Sequence, residues 1–103
     1  MRIRWTAPAA DDLEIIKDYL EAHYSHVAET TVRTIYRRVV ALKMSPYHGR
    51  PGYRSGTREL SLAPLPYVVV YAVKPDAVEI LHIYHGSREW QSGNREWQSG
   101  NRE

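Results

Sequence analysis

Two apolar runs in the second half of the chain constrain its fold more than any other feature. Residues 67–73 read YVVVYAV and residues 78–85 read VEILHIYH, with Lys74-Pro75-Asp76 between them. β-Branched and aromatic residues dominate both runs, and neither alternates apolar with polar. Both therefore read as strands with two largely apolar faces, paired through a hairpin turn at the Lys-Pro-Asp segment. Such a hairpin demands cover. A chain of 103 residues has room for one core, so the cover must come from the same domain or from another polypeptide.

The cover within the chain is helical. Ala9, Leu13, Ile16 and Leu20 are spaced 4, 3, 4, and Ala28, Val32, Ile35, Val39 and Leu42 are spaced 4, 3, 4, 3. Each set makes one apolar stripe on a helix. Thr6 is positioned to cap the first helix, with Pro8 tolerated in its first turn and Asp11 and Asp12 near its positive end. The segment 23–26 (HYSH) breaks the pattern, and Ser25 can cap the second helix, which must stop near Ser45 because Pro46 cannot continue it. The two helices form a helical hairpin.

Residues 1–6 alternate, with Ile3 and Trp5 on one side and Arg2 and Arg4 on the other, and read as a short half-buried strand. Residues 47–56 (YHGRPGYRSG) read as loop, and residues 57–62 alternate again with Leu60 and Leu62 on one face. The predicted order is β-α-α-β-β-β. The fold class is α+β: a helical hairpin packed on one face of a small, mainly antiparallel sheet, with the first strand on an edge. This domain spans 1–87. Residues 88–103 form a tail in which Arg-Glu-Trp-Gln-Ser-Gly-Asn runs 88–94, recurs at 95–101 and begins again at Arg102-Glu103. Two copies are too few for a solenoid; the tail reads as a recent duplication, or as a partner-binding segment anchored by Trp90 and Trp97.

Charge is unevenly placed. Residues 1–31 carry three Lys or Arg against six acids, whereas residues 32–75 carry eight against Glu59 alone. A basic block of mostly Arg suits a polyanion or an acidic protein surface. Tyr47, Tyr53, Tyr67 and Tyr71 interleave with Arg50, Arg54 and Arg58, a pattern that also allows nucleic-acid binding, which would weaken steeply with salt. Cys is absent, which removes disulfide scaffolds, Cys-based zinc sites and thiol catalysis. His82 and His85, three apart on a strand, face opposite sides and cannot chelate one ion. No metal and no cofactor is expected. No run approaches the ~18 apolar residues of a membrane span, and the N-terminus reaches acids before any long apolar run, so neither membrane nor leader is expected and the cytoplasm is the expected location.

Several local motifs then fall in one order. Trp5 and Ala9-x-x-Asp12-Leu13-x-x-Ile16 lie at the front, Arg58-Glu59-Leu60 opens the meander, and Pro66-Tyr67-Val68-Val69-Val70-Tyr71 forms its middle. Val78-Glu79-Ile80-Leu81 then leads into His85-Gly86-x-Arg88. Across residues 1–90 this resembles the RelE/ParE superfamily, the toxin components of bacterial type II toxin–antitoxin modules. The resemblance implies a small stable toxin neutralised by a labile cognate antitoxin that wraps it with a helix and an extended segment. It also implies one of two targets: RelE-like members cleave mRNA in the ribosomal A site, and ParE-like members act on DNA gyrase and block replication.

Cleavage by a 2′-hydroxyl needs a base, cations on the phosphorane and an acid for the leaving oxygen. Arg58 matches a family position used for phosphate contact, and His85 and Arg88 lie where other family catalytic groups lie. Under the ribonuclease reading Arg58, His85 and Arg88 are the catalytic set. No Lys occurs between Met44 and Val73, however, so the Lys-rich segment of RelE-like ribonucleases is missing. The closing His85-Gly86-Ser87-Arg88 is more similar to ParE members, which favours a gyrase-binding toxin that is not an enzyme. Target contact is then expected from Arg33, Arg37 and Arg38 on the second helix and from Arg50 and Arg54 in the loop. Antitoxin contact is expected on the meander at Leu60, Tyr67, Val69 and Tyr71, because one helical hairpin covers one sheet face and leaves the other apolar, and in the groove between the first and second helices; self-association through that surface as a homodimer is the alternative.

Overall fold

The computed structural model describes residues 1–86. Strand β1 (Arg2–Trp5) leads into helix α1 (Ala7–His23), then α2 (Ser25–Val40) and a single 3-10 turn at Ala41–Lys43, followed by β2 (Arg50–Pro51), β3 (Arg58–Ser61), β4 (Tyr67–Val73) and β5 (Ala77–His85). The strands lie in the order β1-β5-β4-β3-β2. β1 runs parallel to β5 and the other three pairings are antiparallel. The α+β class and the edge position of the first strand match expectation, and the element order does so apart from one added short strand, β2.

Thr6 does two things at the β1–α1 junction. Its hydroxyl oxygen accepts from the Ala9 backbone N–H at 3.3 Å, capping α1, and its O–H donates to the Ile80 carbonyl at 2.7 Å, tying that cap to β5. β1 ends at Trp5, opposite Ile80, so β5 runs on past its neighbour with an open edge. Asp12, on the second turn of α1, closes that edge: its carboxylate accepts from the Ile83 backbone N–H at 2.9 Å and lies 3.0 Å from Nδ1 of His82. A side chain here replaces the missing strand.

Two expectations need correction. Ser25 is the first residue of α2 rather than its cap; Tyr24 is the capping residue, and no side chain bonds there. The segment 47–56 is not wholly loop, since Arg50 and Pro51 pair with Glu59 and Arg58 as a short fifth strand. Pro lacks the N–H of an inner strand, but it is allowed on an edge.

The core lies between helices and sheet. Ile35, Val39 and Leu42 meet Leu60, Leu62, Val69, Tyr71, Val78, Ile80 and Ile83, with Ile3, Trp5, Leu13 and Ile16 packed around them. Between Val70/His82 and Tyr71/Ile80 the β4–β5 register slips by one residue. This bulge at Leu81 lets Ile83 on one side and Ile80 and Val78 on the other all point to the helices.

The four meander residues expected to meet an antitoxin are on this inner face. Leu60, Tyr67, Val69 and Tyr71 are all buried, Val69 and Tyr71 completely. Val69 and Tyr71 are sealed, whereas Leu60 and Tyr67 keep a sliver of surface on the wall of one cavity. The opposite face of β4 is not an apolar shelf either. Val70 and Ala72 are buried there, Val68 is half-buried, and their cross-strand neighbours are Glu59, Ser61, Glu79, His82 and Tyr84. Long polar side chains, including the Arg4–Glu79 pair at 3.2 Å, occupy the space. The exposed apolar surface is mainly on the helices, at Ile15, Tyr19, Tyr24, Val27 and Tyr36, and beyond them at Met44, Tyr47 and Tyr53.

Candidate functional site

Three arginines of the basic block, Arg50, Arg54 and Arg58, lie on or between β2 and β3 at the edge of the sheet, and the loop between β2 and the 3-10 turn is held by buried polar contacts. Tyr71 reaches from β4 to the loop, where its hydroxyl donates to the Pro46 carbonyl and accepts from the Gly49 N–H, both at 2.8 Å. Gly49 is required at this spot, because a Cβ would lie 2.7 Å from the Glu59 carbonyl oxygen and 2.8 Å from the Tyr71 hydroxyl. Glu59, 5% exposed, accepts from the Tyr53 N–H at 3.0 Å and from Nε of Arg50 at 3.3 Å. Arg58 donates from Nε to the Gly49 carbonyl at 2.9 Å, and its guanidinium lies over the Tyr47 ring, 5.2 Å from the centroid. A ten-residue Gly- and Pro-rich stretch is thus fixed at three points. Tyr47 and Tyr53 stand exposed beside Arg50 and Arg54.

Next to this loop lies a cavity of about 590 Å³. Leu65, Pro66 and Val68 form its apolar wall, and His48 and Arg50 stand on its polar side. The other arginines of the basic block lie on α2. Arg33 pairs with Glu29 one turn away, Arg37 donates to the Thr34 hydroxyl, and Arg38 reaches the Ser61 carbonyl on β3 at 3.3 Å. Arg33 and Arg37 are exposed, and Arg38 bridges α2 to the strand that carries Arg58. Arg33, Arg37, Arg38, Arg50 and Arg54 therefore lie on elements linked through β3.

Arg58 and His85 lie on different strands of the sheet. Arg58 pairs with Tyr71 on β4, whereas His85 pairs with Tyr67, four residues along and one strand further across. At about 3.3 Å per residue and about 4.8 Å per strand their backbones stand some ~16 Å apart. Arg58 is also committed to Gly49 and Tyr47, and the exposed His85 lies edge-on to the Tyr67 ring at 5.7 Å. Arg88 lies outside the described residues. Burial pushes the Tyr67 phenol above its ordinary pKa, and Tyr19 beside it adds to the shift.

A second concavity, of about 330 Å³, opens between the helices. Trp5, Ala10, Leu13, Val32 and Tyr36 line it, with Glu14 and Lys17 at its rim. The Trp5 and Tyr36 rings are stacked, 4° from parallel with centroids 6.2 Å apart. Its lining is mostly apolar.

Sequence alone missed the contacts that hold the loop. Glu59 gave a faint signal as the lone acid in a basic stretch. Tyr71 gave none, because its hydroxyl acts on residues far earlier in the chain.

Comparison with known proteins gives three agreeing results. The family described as the ParE toxin of the type II toxin–antitoxin system parDE matches residues 3–90. Y4kP of Sinorhizobium fredii (strain NBRC 101917 / NGR234), which is named as a toxin, is 42% identical over 89 residues, covering 86% of this chain and 92% of that protein. A solved chain from the chromosomal ParDE system of P. aeruginosa superposes with a TM-score of 0.76 at 31% identity, covering 82% of this chain and 95% of that one.

Proposed function

The chain belongs to the ParE toxin family of type II toxin–antitoxin systems, and from that membership we propose that it poisons DNA gyrase by binding it, without catalysis, and is neutralised by a cognate antitoxin. The observation that carries the gyrase reading over mRNA cleavage is the separation of Arg58 from His85 across β4. In-line attack needs acid, base and phosphate cations around one phosphate. Arg58 and His85 project from backbones ~16 Å apart, and the Arg58 guanidinium is held by the Gly49 carbonyl and the Tyr47 ring, which argues against the two sharing one phosphate. What the loop offers instead is a fixed cationic and aromatic surface, the composition that dominates protein interfaces. Arg50, Arg54, Tyr47 and Tyr53 are its centre, and Arg33 and Arg37 extend it.

The antitoxin seat is the groove between the helices. Trp5, Leu13, Val32 and Tyr36 supply an apolar floor of the kind that accepts the apolar stripe of a partner helix. This replaces the buried meander residues as the proposed contact. Complex formation sets toxin activity, since the free toxin alone reaches its target in the cytoplasm.

The experiment is expression in cells with plasmid topology and mRNA integrity read side by side. Loss of negative supercoiling with intact mRNA supports gyrase as the target. Translation-dependent cuts in mRNA with normal supercoiling would establish the ribonuclease reading instead.

A further inference from the structure

A line of contacts runs from the core of the sheet to an exposed ring. Tyr71, fully buried on β4, accepts from the Gly49 N–H through its hydroxyl at 2.8 Å. The Gly49 carbonyl in turn accepts from Nε of Arg58 at 2.9 Å. The Arg58 guanidinium then lies over Tyr47, 5.2 Å from the ring centroid. Tyr47 itself is 66% exposed. Each member of this line holds the next, and only the last stands in solvent.

The arrangement uses two properties that only arginine combines. Its Nε–H is committed to a backbone carbonyl, which fixes the plane of the group, and its delocalised charge rests on the π-system of the ring. A lysine ammonium has no plane to fix. The pivot has no slack either, because a Cβ on Gly49 would lie 2.7 Å from the Glu59 carbonyl oxygen. An exposed tyrosine in a loop must otherwise be ordered when a partner binds, and that ordering weakens the complex. A ring already backed on one side avoids the loss.

We infer that Arg58 is a positioning residue: it backs one face of the Tyr47 ring and holds the ring out to an apolar or aromatic side chain of the target. The position that the family resemblance associates with phosphate contact serves a neighbouring ring in this chain. The inference rests on the reading of the Arg–Tyr loop as the target surface. It adds that Tyr47 makes the contact and that Arg58 acts through it.

The test is a double-mutant cycle on gyrase supercoiling with the full chain. Arg58→Gln keeps an N–H donor where Nε stands and removes the guanidinium; Tyr47→Ala removes the ring. Tyr47→Ala should raise the amount of chain needed for inhibition about tenfold. Arg58→Gln alone should raise it about two- to fivefold, the change that an exposed cation–π pair corresponds to. In the Tyr47→Ala background Arg58→Gln should add nothing. Tyr47→Phe, which restores a ring, should recover most of what Tyr47→Ala loses. The inference is overturned if Tyr47→Ala has no effect, or if the two losses multiply in the double variant, since Arg58 would then touch the target itself.

A second readout needs no target. In the proton NMR spectrum of the free chain the Arg58 side-chain resonances should be shifted upfield by the ring, and Tyr47→Ala should return them to ordinary positions. Ordinary positions in the parent chain would overturn the inference whatever gyrase does. Shifted Arg58 resonances in a chain that leaves supercoiling untouched would instead refute gyrase as the target. The same cycle is then read on ribosome-bound mRNA, where loss of cleavage by Arg58→Gln in the Tyr47→Ala background would overturn the inference and its absence would support it.

Discussion

The phenolic oxygen of Tyr71, at the centre of β4, lies 2.8 Å from the backbone nitrogen of Gly49 and also donates to the Pro46 carbonyl at 2.8 Å. One hydroxyl at the edge of the core thereby fixes both ends of the turn that starts the Arg–Tyr loop. Tyr71→Phe keeps the ring and removes both bonds, leaving a buried N–H and a carbonyl without that partner. The expected cost is about 1–3 kcal/mol, read as a lower urea midpoint. Amide exchange at Gly49 should accelerate with it, and the β4–β5 amides should stay slow.

Glu59 separates two roles that are easily confused. Its carboxylate is buried, yet its partner Arg50 is 66% exposed at the side chain. An ion pair open to water on one side contributes about 0–1 kcal/mol. The bond from the Tyr53 N–H is the larger part. Glu59→Gln retains an acceptor for that N–H and should cost less than ~1 kcal/mol. Glu59→Ala removes the acceptor, should cost about 1–3 kcal/mol, and should release the Tyr53 amide to exchange. Equal losses from the two variants would place the weight on the ion pair instead.

Tyr67 predicts an alkaline instability. Burial, aided by Tyr19, raises its pKa above the ordinary tyrosine value in the folded state. Above pH ~10 the unfolded chain then binds fewer protons than the folded one, so stability falls as pH rises through that range. Melting temperatures measured from pH 8 to 11 should decline more steeply for the parent chain than for Tyr67→Phe. Parallel curves for the two would remove Tyr67 as the cause.

The sequence made the main elements legible because each rests on local periodicity. The stripe Ala28, Val32, Ile35, Val39, Leu42 became α2 and its 3-10 extension, and the paired apolar runs became β4 and β5. The strand β2 was illegible because two residues carry no period and one of them is Pro. Side assignment failed where both faces of a strand are apolar. The bulge at Leu81 sets which β5 residues face the helices, and no propensity announces it. The pattern accordingly offers Leu60, Tyr67, Val69 and Tyr71 to a partner, although they are buried in the core. By its position in the sequence Asp12 suits the positive end of its own helix, but its carboxylate serves the open edge of β5 through Ile83. The Arg residues of the basic block were legible as a charge run, but their anchoring through Glu59 and Tyr71 is tertiary.

The most direct test of the central claim uses purified gyrase, relaxed plasmid and ATP with increasing amounts of the chain. Supercoiling should be inhibited at concentrations comparable to gyrase, and Arg50→Glu combined with Arg54→Glu should raise the amount required by about tenfold or more, as loss of interface anchors does. Messenger RNA on programmed ribosomes should remain intact at the same concentrations. Full supercoiling activity in the presence of excess chain, together with codon-positioned cuts in ribosome-bound mRNA, would contradict the account.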